Sequence, residues 1–94
     1  MGTARINWTD PALQDLDGIF DYINRDAPAY AQSYVQRIFD AVDRLTDFPH
    51  SGRKVPEAGP SDVLEILFGD YRIMYWLVGA DRIDILGVVH GSAI

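Results

Sequence analysis

An α+β domain of two layers, one sheet packed against a pair of helices, is the fold class this sequence predicts. Three observations carry it. In the N-terminal half, apolar residues recur every three or four positions through two stretches, the spacing of helices with one buried face. In the C-terminal half, three apolar or alternating stretches follow one another, the pattern of strands. A loop rich in proline and glycine separates the halves, and helices grouped apart from strands favour segregated layers over a wound parallel sheet.

The elements follow in order. Ala4, Ile6 and Trp8 alternate with Arg5 and Asn7, which predicts a short first strand with one buried side. Thr9-Asp10-Pro11 supplies a capping oxygen and a first-turn proline, a helix start. Leu13, Leu16, Ile19, Phe20 and Ile23 then form a stripe, with Asp15, Asp17 and Asp21 mainly opposite, to about Asn24. Asp26-Ala27-Pro28 breaks this helix and begins a second, striped by Ala31, Tyr34, Val35, Ile38, Val42 and Leu45. So short a connection predicts an antiparallel helical hairpin, with Leu16 and Ile38 buried against the sheet.

Phe48 to Asp62 is expected as a loop, since it holds Pro49, Gly52, Pro56, Gly59 and Pro60 with little periodicity. Three strands are predicted after it, Val63 to Phe68, Tyr71 to Val78 and Arg82 to His90, joined by Gly69-Asp70 and Gly79-Ala80-Asp81. The result is an N-terminal strand, a helical hairpin and a three-stranded antiparallel meander, giving one antiparallel sheet with the helices on one face.

Composition narrows the function classes. Ninety-four residues make a single domain, 1–94. With no cysteine there are no disulfides or thiolate metal sites, and neither a metal nor a cofactor is expected. No apolar run reaches membrane-spanning length and the N-terminus lacks a signal-peptide core, so a cytoplasmic protein without membrane contact is expected. The net charge of −6 argues against broad nucleic-acid binding, which needs cations to displace counterions. The charge is uneven: Asp10 to Asp47 holds eight acids against three bases, and the remainder six against five.

Taken together, several pieces resemble the ParE/RelE toxin superfamily, and its ParE branch most closely. They are Ala12, Asp15-Leu16, Ile19 and Tyr22-Ile23; Leu45-Thr46-Asp47-Phe48-Pro49; Gly52-Arg53-Lys54-Val55-Pro56-Glu57; Tyr71-Arg72-Ile73-Met74-Tyr75; and Ile83-Asp84-Ile85-Leu86-Gly87-Val88-Val89-His90-Gly91. They cover nearly the whole chain in family order. The resemblance implies a toxin of a type II toxin-antitoxin system, not an enzyme, which inhibits DNA gyrase and is neutralised in a hetero-oligomer by a ParD-like antitoxin. RelE-like relatives instead cut mRNA on the ribosome, and a third possibility is a non-toxic module that keeps only the antitoxin interface. Two positions differ from common family members: Leu64 stands where an arginine often precedes Glu-Leu, and Ser92-Ala93-Ile94 follows His90-Gly91.

Site residues follow from the resemblance. The antitoxin's C-terminal segment would contact the hairpin and sheet through Leu16, Ile19, Tyr22, Tyr34, Ile38, Tyr75 and Trp76. Arg53, Lys54, Arg72 and His90 would meet the target. Were the protein a nuclease, Arg72 and His90 would be its catalytic pair. The plainer reading is that Arg72 pairs with Glu65 or Asp84 on a neighbouring strand, that His90 bonds backbone at a strand end, and that His50 and the Arg53-Lys54 pair are solvated. Cleavage needs a base for the 2′-OH and an acid for the leaving oxygen beside the arginine, and the four residues after His90 supply neither, so no nuclease activity is expected. Tyr22, Tyr30, Tyr34, Tyr71, Tyr75 and Trp76 exceed what so small a core holds, and some should form a partner-binding surface. The hairpin's Asp15, Asp17, Asp21, Asp40 and Asp43 would receive arginine or lysine from the antitoxin.

Overall fold

In the computed structural model, residues 4–55 and 62–91 are described. β1 (Arg5–Trp8) leads into α1 (Asp10–Asn24), α2 (Pro28–Asp43) and one turn of 3-10 helix at Arg44–Thr46. Then come β2 (Arg53–Lys54), β3 (Val63–Phe68), β4 (Tyr71–Val78) and β5 (Arg82–His90). The Thr9 hydroxyl oxygen caps α1 by accepting from the Ala12 N–H at 3.4 Å, and it donates to the Ile85 carbonyl at 2.6 Å. One side chain therefore starts the helix and fixes it to the sheet.

The sheet order is β1-β5-β4-β3-β2. It is mixed, not wholly antiparallel: β1 lies parallel to β5, with Ile6 opposite Ile83 and Trp8 opposite Ile85. The helical layer carries the chain across the sheet between them, and a connection of that length permits a parallel neighbour. The expected loop after Phe48 also contains a strand, β2, which pairs Arg53 with Glu65 and Lys54 with Leu64. Glu57, Gly59 and the second and third prolines of that loop, Pro56 and Pro60, lie outside the described residues, as do Ser92-Ala93-Ile94.

The β3–β4 and β4–β5 hairpins fall where the turn residues predict. Gly69 takes φ +56° at the first position of the two-residue turn, a conformation that a side chain disfavours. Between β4 and β5 the register shifts: Met74 faces Gly87 but Tyr75 faces Ile85. Leu86 is the extra residue, a β-bulge. It lets Ile83 and Ile85 before it, and Val88 after it, all join the core under the helices.

That core also holds Ala12, Leu16 and Ile19 of α1, Ile38 and Val42 of α2, Leu45, Leu64, Ile73 and Tyr75. Leu16 and Ile38 are buried as expected. The α1 stripe is rotated from its expected position, however: Ala12 is buried and Leu13 is exposed. The rotation turns Asp15 toward the sheet, where its carboxylate accepts the Val88 N–H at 2.9 Å. β5 continues beyond Ile85, the residue opposite the end of β1, so an edge amide there needs another acceptor.

Tyr75 is the largest fully buried side chain, at 0% exposure. Its hydroxyl donates to the Pro49 carbonyl at 2.9 Å and accepts the Gly52 N–H at 3.0 Å. A Cβ on Gly52 would come within 2.5 Å of that hydroxyl and 2.6 Å of the Glu65 carbonyl oxygen. Glycine is required there for close approach, and this anchors the loop that delivers Arg53.

Candidate functional site

The helices cover one face of the sheet; the other carries a line of charge. Successive side chains of a strand point to opposite faces, and residues directly opposite each other share a face. Arg53, Glu65, Leu67, Arg72, Trp76 and Asp84 consequently lie on the uncovered side. Glu65 is the centre of the array, with its side chain fully buried. Its Oε1 accepts from Arg72 Nε and its Oε2 from Arg53 Nε, both at 2.7 Å. Arg72 is nearly buried, whereas Arg53 is largely exposed. Asp84 belongs to a separate group, accepting from Asn7 Nδ2 at 3.1 Å and from Arg82 Nε at 3.1 Å.

Of the two partners open to Arg72 on sequence grounds, Glu65 takes it at ion-pair distance, and Arg53 shares the same carboxylate. A buried carboxylate is tolerable only with such compensation, and removing one partner of a buried pair leaves an uncompensated charge. Together the two arginines and Glu65 carry one net positive charge. Arg53 and Arg72 border a cleft of about 400 Å³ at the turn end of β3, β4 and β5, lined also by Leu67, Asp70, Tyr71 and His90.

His90 faces the other way. It stands opposite Tyr71, and the two rings meet edge to face with centroids 5.6 Å apart. Tyr34 joins them from α2, 6.1 Å from Tyr71, 5.4 Å from Phe68 and 5.7 Å from Tyr30. This aromatic cluster sits on the helix side of the sheet. Burial raises the pKa of Tyr34, with the neighbouring Tyr71, Tyr30 and Asp70 adding to it and Arg37 opposing it. Burial likewise raises that of Tyr71, with Tyr22 and Asp70 contributing. Arg72 and His90 thus both border the cleft but project to opposite faces.

The residues expected at an antitoxin interface divide in two. Tyr22, Tyr34 and Trp76 reach the surface, Tyr22 most of all at 68% exposure. Leu16, Ile19, Ile38 and Tyr75 are core residues. Leu16, Ile19 and Ile38 spend the hairpin's apolar stripe on the sheet, and Tyr75 meets them from β4. The three accessible residues do not form one patch: Trp76 is on the uncovered face, where its Nε1 donates to an Asp62 carboxylate oxygen at 3.0 Å. Among the expected target contacts, Arg53 and Arg72 converge on Glu65, and Lys54 alternates to the opposite side of β2. Leu64, in place of the family arginine, is buried in the core.

On sequence grounds Glu65 is only an ion-pair partner, and Phe68 and Asp70 do not stand out. A signal for Glu65 existed: it is the one charged residue within Val63 to Phe68, and an acid in an apolar strand needs a cation nearby. Among the described residues no group of His, Asp and Glu could hold a metal ion, and no helix is long and apolar enough to cross a membrane.

A helical hairpin over one face of a short five-stranded mixed sheet, with a charged array on the opposite face, is the architecture of the ParE/RelE toxin fold. Comparison gives the family. The model of the ParE toxin of the type II toxin-antitoxin system parDE matches residues 6–94, and the chain belongs to that family. It is 49% identical over 53 residues to the Sinorhizobium fredii protein named Putative toxin Y4kP, covering 56% of this chain and 55% of that one. It is 42% identical over 50 residues to toxin RelE2 of Caulobacter vibrioides, covering 53% and 57%. The chain spans about half the length of these curated relatives. Among solved structures, a chain of the chromosomal ParDE system from P. aeruginosa superposes with TM-score 0.78 at 25% identity, over 94% of this chain and 96% of that one. A chain of the RelBE2 toxin-antitoxin complex from Mycobacterium tuberculosis shares the fold, with TM-score 0.63 at 20% identity over 96% and 99%.

Proposed function

We propose that this chain acts as a ParE-type toxin: it inhibits DNA gyrase by binding, performs no RNA cleavage, and is restrained by a ParD-like antitoxin. The observation that carries the reading is the disposition of Arg72. A ribonuclease of the RelE kind would need a cation, a general base and a general acid gathered round one phosphate. Here Arg72 directs its Nε to a buried Glu65 at 2.7 Å, and His90 projects to the other face of the sheet beside Tyr71. The family match over residues 6–94 and the likeness to a ParDE system support the coarser part of the reading, a toxin restrained by an antitoxin.

In this reading the cleft beside Arg53 and Arg72 is a recognition surface. Arg53 is the exposed member of the array and the cation that a partner carboxylate or phosphate would meet. The test is expression without antitoxin in a bacterial host, scoring the DNA-damage response and mRNA integrity in the same cells. Induction of the damage response with intact mRNA is the expected result. Codon-position cuts in primer extension, abolished by Arg72→Ala, would move the chain to the nuclease branch.

A further inference from the structure

Arg53 is an exposed arginine held at both ends. Its backbone enters from Gly52, whose N–H donates to the buried Tyr75 hydroxyl at 3.0 Å, and it pairs with β3 opposite Glu65. Its guanidinium is fixed through Nε, which donates to Glu65 Oε2 at 2.7 Å. Glu65 has no freedom to follow a moving partner: its side chain is fully buried, and its other oxygen accepts from the nearly buried Arg72. An arginine with 64% of its side chain exposed would otherwise sample many rotamers, and freezing them opposes association. Here the fold does that ordering before any partner arrives.

A guanidinium bonded through Nε keeps Nη1 and Nη2 as a fork, which a carboxylate or phosphate matches with two parallel bonds. Among the described residues, the bonding of Arg53 runs through Nε alone. The surroundings choose between the two anions. Leu67, 58% exposed, shares the face with Arg53, and both line the cleft together with Asp70. A nucleic-acid strand brings successive phosphates, which would meet the Asp70 carboxylate and a chain of net charge −6. A lone carboxylate beside an apolar side chain needs one fork and one apolar contact. This cleft supplies both.

We infer that Arg53 is a preset fork for a single aspartate or glutamate of the protein target, and that Glu65 is the positioning residue that sets it. Leu67 receives the apolar neighbour of that carboxylate. Glu65 touches no partner and acts through Arg53. The inference rests on the reading of this cleft as the surface that binds gyrase, and it adds the group recognised and the residue that prepares the site. It also divides Arg53 from Lys54, which alternates to the other side of β2.

The test measures binding of the intact chain to purified gyrase, with and without DNA. Wild type should bind gyrase in the absence of DNA. Arg53→Lys keeps the charge but not the planar fork, and should weaken binding by about tenfold or more with the melting temperature near the parent's. It leaves the Arg72–Glu65 pair in place, so it tests the fork even where Glu65→Gln unfolds. Glu65→Gln should itself weaken binding by about tenfold, yet by less than about twofold when added to Arg53→Lys, since residues acting through one another are not additive. Arg25→Gln, at the end of α1, removes the same charge elsewhere and should change binding by less than about twofold. The Arg53 Nε–Hε resonance should exchange slowly with water in the parent and be averaged in Glu65→Gln, a change that lost stability alone does not produce. Full affinity in Arg53→Lys beside binding by the wild type would overturn the inference and leave the gyrase reading intact. So would multiplying losses in the double variant, which would make Glu65 structural only, or binding seen only with DNA, which would make the anion a phosphate. No binding by the wild-type chain under either condition would remove both.

Discussion

Tyr75 shows how a single side chain can tie the core to the site. Its ring fills the core, and its hydroxyl satisfies two backbone groups of the loop before Arg53. Tyr75→Phe keeps the ring but leaves the Gly52 N–H and Pro49 carbonyl without that partner, and should cost about 1–3 kcal/mol in denaturant unfolding. Gly52→Ala forces a Cβ against the same hydroxyl and the Glu65 carbonyl, with an expected loss of about 1–3 kcal/mol from overpacking. The pH dependence has a definite sign. Burial raises the Tyr75 pKa above the ordinary 10.0, against a smaller opposing effect of the Gly52 N–H. A group raised in the folded state contributes stability that is complete below its unfolded pKa and is lost as pH rises through the folded one. Thermal stability should therefore fall as pH climbs past 10, and less steeply in Tyr75→Phe. Equal slopes in the two proteins would show that Tyr75 does not govern the alkaline limb. At this scale an ion pair for Arg72 was legible, because it is the charged residue of an otherwise apolar strand, but the choice of Glu65 over Asp84 was not. The Tyr75 hydroxyl and Asp15 were not, since their partners are backbone groups positioned by a turn and a bulge.

Among the elements, the helical hairpin has the clearest energetic role. Ile38 is at 0% exposure beneath α2, and Ile38→Ala should cost about 2–5 kcal/mol through the cavity it opens. A melting curve within a degree or two of the parent would mean that the stripe carries little of the stability. The hairpin's register on the sheet depends on Thr9 and on Asp15, whose carboxylate reaches the Val88 N–H. The boundaries of β3, β4 and β5 were readable because glycine turns punctuate strongly apolar runs. β2 was not, being two polar residues without alternation. The parallel setting of β1 was also hidden: a period of two identifies a buried face and says nothing of direction. Rotation of the α1 stripe has a similar origin, since Leu13 is apolar enough to pass for a core residue while the small Ala12 does the packing.

In the whole molecule, the two faces of the sheet separate two kinds of chemistry. The helix side gathers Tyr30, Tyr34, Phe68, Tyr71 and His90 into an aromatic cluster, and the uncovered side holds the Arg53–Glu65–Arg72 array. The resemblance pairs Arg72 and His90 as the residues a nuclease would use. Strand parity sets them on opposite faces, a separation that appears only when the β4–β5 register is known. On the proposed reading, this domain works by binding and not by cleaving. Its most direct test is a supercoiling assay with purified gyrase and the purified chain, run beside a ribosome-dependent mRNA cleavage assay. Loss of supercoiling, reversed by the antitoxin, with mRNA left intact is the predicted outcome. Unimpaired supercoiling together with mRNA cuts that vanish in Arg72→Ala would contradict it.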